Sequence, residues 1–272
     1  MPQHVKGSLG SMRQYLGLIL LFFTTMSQAA DGKIVFAVQP ILEREATTEF
    51  YEPLVTYLRK QTGMDIELAA SINFLTYWQK MRRSEFDLVL DAAHFTSYRM
   101  NNLGYTPIAK VPGTVTYSLV TGGDLLIFEP EELIGKLVAC AAPPSLGMLR
   151  LQEMYPNPLR QPVIKESPSA ETALALLSEG KVVAAMVPTP LLNNYPGFNV
   201  VVTTEPSPHV TFSVAPTVPE KTRDALQKAL LGAPATAEGK KMLERINFPG
   251  LEKPKRGLYD GYEELLSDTW GF

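Results

Sequence analysis

The chain has 272 residues, of which 45% are hydrophobic and 19% are charged, so it can form one large domain or two smaller lobes with real cores. This composition excludes a largely disordered chain. The 25 basic and 28 acidic residues give a net charge of −3 without a basic stripe, which argues against a nucleic-acid partner.

The first thirty residues differ from the rest of the chain. Lys6 and Arg13 precede an apolar run at 15–26, and Ser27-Gln28-Ala29 fits a small-x-small cleavage site. An uncleaved membrane anchor is the alternative, but a span needs about 20 apolar residues, and this run closes early. We therefore expect residues 1–29 to be a cleaved signal peptide and the protein to be soluble in the periplasm. Cleavage leaves 23 basic residues (25 − 2) against 28 acidic ones, a charge near −5.

After this segment the chain reads as two successive series of alternating strands and helices, which is typical of doubly wound α/β sheets. The predicted strands are 33–39, 66–70, 88–90, 105–110, 114–121, 136–141, 163–165, 182–187, 199–204 and 210–215. The predicted helices are 43–60, 74–83, 95–103, 130–135, 148–155, 170–179, 220–231, 237–246 and 259–267. Because Pro53 is tolerated only in a first turn, the first helix is expected to begin near Phe50.

Two of these strands predict a division into lobes. The segments 114–121 and 210–215 suit strands that cross between lobes, and the C-terminal helices are expected to pack on the first lobe. This arrangement assigns 30–114 and 212–272 to lobe 1 and 115–211 to lobe 2. Two α/β lobes joined by two crossings form a hinge-bending clamp, which encloses a small ligand.

The buried strand at 88–90 leads directly into polar residues. Asp91 is placed to cap the following helix, and His94 is expected to be exposed near its positive end. In open α/β sheets, ligands lie outside the carboxyl ends of the strands, so 91–94 should face a cleft. For Asp91 the alternative is a plain N-cap, and for His94 it is a surface group at its own helix N-terminus.

Other candidate residues occupy helix starts and the first crossing. Ser145, Gly147 and Ser169 can direct hydroxyl and backbone donors at an anion, with plain capping as the alternative. Tyr77 either lines the cleft or is core, and Tyr117 is a cleft wall or an ordinary strand residue. No metal-ligand spacing, cofactor motif or activated nucleophile is present, so we expect neither a metal, a cofactor nor an enzyme.

Cys140 is the single cysteine, so it cannot form an internal disulfide. It lies in a strand-like run, where a thiol usually acts as a small buried hydrophobe.

Several segments together carry a family resemblance. They are similar to the periplasmic phosphonate/phosphate/phosphite-binding family at Thr76-Tyr77, Phe86-Asp87-Leu88-Val89, 133–139, Ser145-Leu146-Gly147, Ser169-Ala170-Glu171 and 173–185. The resemblance implies a type II periplasmic-binding fold and a substrate-binding protein that delivers its ligand to an ABC-transporter permease. It also implies that Glu171 stands at the family's carboxylate position. We expect a monomer; a sensor docking on a membrane receptor or kinase is the alternative.

The chain departs from the family's pattern where the ligand is expected. Pro144 and Leu146 replace two hydroxyl residues, and Ala170 replaces a histidine. Asp91 adds a negative charge at the expected cleft mouth. Helix N-termini favour an oxyanion such as a phosphonate, whereas Asp91 and Glu171 favour a zwitterion or a neutral polar compound, so the ligand class stays open.

Overall fold

The computed structural model describes residues 1–3, 32–267 and 269. Apart from residues 1–3, the predicted signal peptide lies outside the described residues. In the described part of the chain, no helix combines the length and apolarity needed to cross a bilayer.

Strands and helices alternate along most of the chain. The strands are β1 (Ile34–Val38), β2 (Ile66–Ala70), β3 (Leu88–Asp91), β4 (Thr106–Lys110), β5 (Thr114–Val115), β6 (Tyr117–Gly122), β7 (Leu137–Ala141), β8 (Val163–Ser167), β9 (Ala184–Pro188), β10 (Phe198–Thr203), β11 (Ser207–Pro208) and β12 (Thr211–Val214). The α-helices are α1 (Arg44–Thr62), α2 (Phe74–Arg82), α3 (Ala93–Leu103), α4 (Leu146–Met154), α5 (Ala170–Ser178), α6 (Glu220–Gly232) and α7 (Ala237–Arg245). Each predicted strand has an observed counterpart.

The strands form two five-stranded sheets. The first has the order β2-β1-β3-β12-β4, in which β1 is parallel to β2 and β3 and β12 is antiparallel to β3 and β4. The second has the order β10-β6-β9-β7-β8, in which β7 is parallel to β8 and β9. The chain passes from one sheet to the other through β5 and returns through β11, and these two short strands pair antiparallel.

Each sheet has its own hydrophobic core. The first core is rich in aromatic residues, among them Phe36, Trp78, Phe95 and Phe212. The second sheet carries one cluster on each face, as expected for a doubly wound sheet. Leu149 of α4 belongs to the first core, so the two halves contact each other through α4.

The C-terminal part of the chain returns to the first sheet. The Tyr57 hydroxyl of α1 donates to the Ala229 carbonyl of α6 at 3.1 Å, and Lys60 pairs with Glu238 of α7 at 2.8 Å. These contacts place α6 and α7 against α1.

Three predicted helices differ from the observed ones. Helix α1 begins at Arg44 and continues through Pro53, because four buried residues after Tyr51 anchor it in the core and offset the missing hydrogen bond. The predicted helices at 130–135 and 259–267 are only short 3-10 turns, at Pro130–Leu133 and Tyr262–Leu266. The second of these starts at Gly261, whose φ of 80° interrupts a continuous helix.

Candidate functional site

The polar side chains at the end of β3 are turned into the first core. Asp91 Oδ2 accepts a hydrogen bond from Arg99 Nε at 2.5 Å, and Asp91 Oδ1 accepts one from the Tyr77 hydroxyl. Arg99 also donates to the Tyr77 oxygen at 3.1 Å, and its guanidinium lies 4.9 Å from the ring centre of Tyr105. Asp91, Arg99 and Tyr77 are each 0% exposed. They form an internal network rather than a ligand-facing surface.

This network corrects two predictions for Asp91. The N-cap of α3 is Ala92, and no side chain caps that helix, so Asp91 is not the cap. Burial raises the pKa of the Asp91 carboxyl, and the adjacent Arg99 guanidinium offsets part of that rise. The carboxylate therefore adds no free charge at the cleft mouth. Tyr77 is core, which was the alternative reading of that residue.

His94 is fully buried, which corrects its predicted exposure. Its Nε2 lies 3.0 Å from the carbonyl oxygen of Pro144 in the loop before α4. Because a carbonyl only accepts, Nε2 carries the hydrogen, while the buried Nδ1 has no partner among the described residues. The pKa of His94 is lowered to about 3, mainly by burial; the hydrogen bond to Pro144 opposes this lowering, and the charge of Arg150 adds to it. A neutral His94 thus links the two halves of the molecule.

The start of α4 is built differently. Ser145 is its N-cap: the Ser145 hydroxyl accepts from the Met148 N–H at 3.3 Å and donates to the Ala141 carbonyl at 2.8 Å. The hydroxyl hydrogen is therefore in use. The backbone N–H groups of Leu146 and Gly147 have no acceptor among the described residues, as is usual in the first turn of a helix.

The start of α5 repeats this pattern. Ser169 is the N-cap, accepting from the Thr172 N–H at 3.1 Å. The backbone N–H groups of Ala170 and Glu171 have no acceptor among the described residues. The Glu171 side chain is partly buried in the first turn of the helix.

A cavity of about 30 Å³ lies between the two sheets, at the carboxyl ends of β1, β7 and β9. The first sheet and its helices contribute Gln39, Ile41 and Phe74. The second contributes Tyr117, Cys140, Ala141, Ser145, Leu146, Gly147, Ala170, Met186 and Pro188. The first residues of α2, α4 and α5 are all in this lining, so three helix N-termini meet here. This is where an open α/β sheet binds its ligand.

A larger groove of about 920 Å³ runs between α4 and the 3-10 turn Tyr262–Leu266. It is open surface, lined by the middle and end of α4 and by residues 156–161 and 260–267 rather than by helix starts. In the described residues, no three His, Cys, Asp or Glu side chains come together as metal ligands.

Tyr117 and Gly147 are in close contact at the cavity. A Cβ atom at Gly147 would lie 3.1 Å from two ring carbons of Tyr117 and 3.5 Å from Cys140 Sγ. The absent side chain therefore lets the Tyr117 ring rest on the first turn of α4. Burial raises the pKa of both neighbours: the Tyr117 hydroxyl lies above its ordinary range, and the Cys140 thiol reaches about 12. Both groups are neutral.

The structure thus sorts the predicted site residues into three places. Tyr117, Ser145 and Gly147 line the cavity, and Ser169 and Glu171 flank its lining residue Ala170. His94 lies at the contact between the two halves, whereas Tyr77 and Asp91 are in the first core. Sequence reasoning missed Gln39, Ile41, Phe74 and Met186 as cavity residues. Gln39 directly follows the end of β1, so its position was the available signal.

Two α/β sheets that face each other across a cavity, with helix N-termini directed into it, define a two-lobed ligand-binding protein. Over residues 36–259 the chain matches the family described as ABC transporter, phosphonate, periplasmic substrate-binding protein. Since this match covers most of the chain, the protein belongs to that family. No curated protein sequence matches it significantly.

Solved structures show the same fold at low sequence identity. PhnD1 from Prochlorococcus marinus, in complex with methylphosphonate, is 14% identical with a TM-score of 0.76, covering 86% of this chain and 97% of that chain. A binding protein component of an ABC phosphonate transporter from Pseudomonas aeruginosa is 14% identical with a TM-score of 0.73, covering 86% and 85%. An ancestral arginine-binding protein bound to glutamine is 16% identical with a TM-score of 0.56, covering 79% and 97%. The fold is the type II periplasmic-binding fold implied by the resemblance.

Proposed function

We propose that this protein is a monomeric periplasmic carrier that closes its lobes on a small oxyanion of the phosphonate class. It would then release the ligand to the permease of an ABC importer in the inner membrane. The lobes of this clamp are 30–114 with 212–272 and 115–211, and the cleaved segment is 1–29. The observation that carries the proposal is the meeting of helix N-termini at the cavity between the two sheets.

The N-termini of α4 and α5 supply the donors for the anion. Their first N–H groups, at Leu146, Gly147, Ala170 and Glu171, have no acceptor among the described residues. Such groups carry the positive end of the helix dipole and bind phosphate-like anions without a cationic side chain. The Ser145 and Ser169 hydroxyls hold the two helices in place as caps, so the backbone is the donor surface.

Ligand binding requires the lobes to move. A cavity of about 30 Å³ has room for one or two water molecules, which is too small for a phosphonate. The strands β5 and β11 are the connection about which the lobes can separate. A ligand that bridges both lobes stabilises the closed arrangement only because it contacts both, and so shifts the population towards closure.

The donor assignment can be tested by removing single N–H groups. Ala170 is the first residue of α5 and follows an extended Ser169, so the backbone accepts a proline there, and the proline removes the N–H group. We expect Ala170→Pro to weaken binding of methylphosphonate about tenfold or more, since a hydrogen bond to a charged group contributes about 1.5–3 kcal/mol. Leu146→Pro at the start of α4 should act in the same way.

Isothermal titration calorimetry on protein purified from the periplasmic fraction measures the effect. Ala170→Val and Leu146→Ala are the matched controls, because they change the side chain and keep the N–H group. Unchanged affinity in both proline variants would show that the anion binds elsewhere. Absence of the protein from the periplasmic fraction would contradict export.

A further inference from the structure

We propose that the ligand's organic substituent is apolar and uncharged, so that the protein is a carrier of alkyl- or arylphosphonates rather than of aminophosphonates or inorganic phosphate. This inference rests on the proposed function and names the chemistry of the part of the ligand that the helix N-termini do not contact.

Apolar side chains from both lobes form most of the cavity wall. Ile41 and Phe74 face it from the first lobe, and Leu146, Met186 and Pro188 face it from the second. Phe74, Leu146 and Met186 are 3%, 2% and 1% exposed, so the cavity wall is formed from core side chains. A wall of this kind stabilises a hydrocarbon group by burying it.

The same wall offers no counter-charge to an ammonium group. Its residues include no Asp, Glu, Lys, Arg or His. The Gln39 side-chain carbonyl already accepts from the Ala92 N–H at 3.1 Å, and burial keeps the Cys140 thiol neutral. The nearby Asp91 is paired with Arg99 inside the first core. An ammonium group entering this cavity would lose its water and find no carboxylate in the wall, since Glu171 flanks Ala170 but lies outside the lining; this desolvation is costly.

The positions of the helix N-termini and of the apolar wall predict how the ligand is oriented in the cavity. Two of the three helix N-termini at the cavity, those of α4 and α5, belong to the second lobe, whereas the Ile41 and Phe74 side chains come from the first. An oxyanion held by the second lobe therefore projects its substituent towards Phe74 and Ile41. Inorganic phosphate has no such substituent and leaves that wall unfilled.

Two ligands of nearly the same shape test this inference. Propylphosphonate and 2-aminoethylphosphonate differ only in a terminal methyl against a terminal ammonium group. In calorimetric titrations of the exported protein we expect propylphosphonate to bind at least about tenfold more tightly, because only the ammonium must be desolvated without a partner. Propylphosphonate should also bind more tightly than inorganic phosphate.

A charge placed in the wall should change this preference. Ile41 lies at the rim with 36% exposure, so Ile41→Glu should be tolerated by the fold. We expect it to lower the ratio of propylphosphonate to 2-aminoethylphosphonate affinity at least tenfold, because the new carboxylate pairs with the ammonium. Leu159→Glu is the matched control, since Leu159 is 91% exposed, lies outside the cavity lining and should leave the ratio unchanged.

Each outcome separates the two proposals. Equal or tighter binding of 2-aminoethylphosphonate or phosphate by the unaltered protein overturns the apolar subsite and leaves the oxyanion carrier standing. An unchanged ratio in Ile41→Glu also overturns the subsite. If methylphosphonate, propylphosphonate, 2-aminoethylphosphonate and phosphate all fail to bind, the oxyanion function itself is wrong, and the subsite with it.

Discussion

Two strand-to-helix junctions of the same kind contact each other between the two sheets and use their polar groups in opposite ways. At the junction of β3 and α3, the Asp91 carboxylate turns inward to Arg99, and His94 is buried against Pro144. At the junction of β7 and α4, the Ser145 side chain only caps the helix, and the backbone of the first turn faces the cavity. The junction with the more reactive side chains therefore offers fewer free polar groups to a ligand.

The difference arises from the partners that each junction finds. Arg99 is two turns along α3 from Asp91, close enough to pair with it in the core. A buried carboxylate needs a partner to offset the cost of desolvation, and here the Arg99 guanidinium already neutralises the field of Asp91. The α4 junction contains no charged side chain, so its unpaired N–H groups are its principal polar groups.

The largest expected effect comes from breaking the pair in the first junction. Asp91→Ala should lower the free energy of unfolding by about 3–5 kcal/mol, because it leaves the Arg99 guanidinium buried without a counter-ion. Urea denaturation measures the loss. The double variant Asp91→Ala with Arg99→Met should recover part of it. If Asp91→Ala instead keeps the unfolding free energy of the unaltered protein and binds an anion more tightly, then the Asp91 carboxylate faces the ligand.

An acid-dependent loss of stability is the next effect. The pKa of His94 is lowered to about 3 and that of His209 to about 4, both mainly by burial and both below the ordinary value of 6.5. As the pH falls below 6.5, these histidines bind protons in the unfolded chain but not in the folded one. The free energy of unfolding therefore decreases as the pH is lowered. Each histidine contributes at most about 1.4 kcal/mol per pH unit in that range.

Urea denaturation at pH 7, 6 and 5 checks this prediction. His94→Gln keeps a side-chain donor for the Pro144 carbonyl and cannot titrate, so it should reduce the slope of stability against pH. The slope that remains belongs to His209 and the carboxylates. A slope identical to that of the unaltered protein would show that His94 is not buried in the neutral form.

The smallest effect concerns the second junction. Ser145→Ala should cost about 1 kcal/mol of unfolding free energy through the lost N-cap, and Ser169→Ala should cost a similar amount. Affinity for methylphosphonate should change less than about threefold, because the hydroxyls serve the helices and the backbone serves the anion. A tenfold loss of affinity at unchanged stability would instead assign the hydroxyls to the ligand.

Much of the fold could be predicted because it depends on local patterns. The apolar run before Asp91 is a buried strand, and Ser145 and Ser169 are N-caps, as their positions before apolar segments indicate. Pro53 misled the prediction because tertiary packing of α1 outweighs the cost of one missing hydrogen bond. The site was predicted in part: the α4 and α5 starts line or flank the cavity, whereas Gln39, Ile41 and Phe74 were missed.

The order of the strands and of the seven α-helices, the two α/β series and the caps Ser145 and Ser169 follow from local patterns, since periodicity and capping act within a few residues. Local patterns could not show that Asp91 pairs with Arg99, that His94 is buried against Pro144, or that the cavity wall is apolar. Those facts depend on which distant side chains meet. Burial and pairing set the charge of a group, and both are properties of the packed molecule rather than of any one segment.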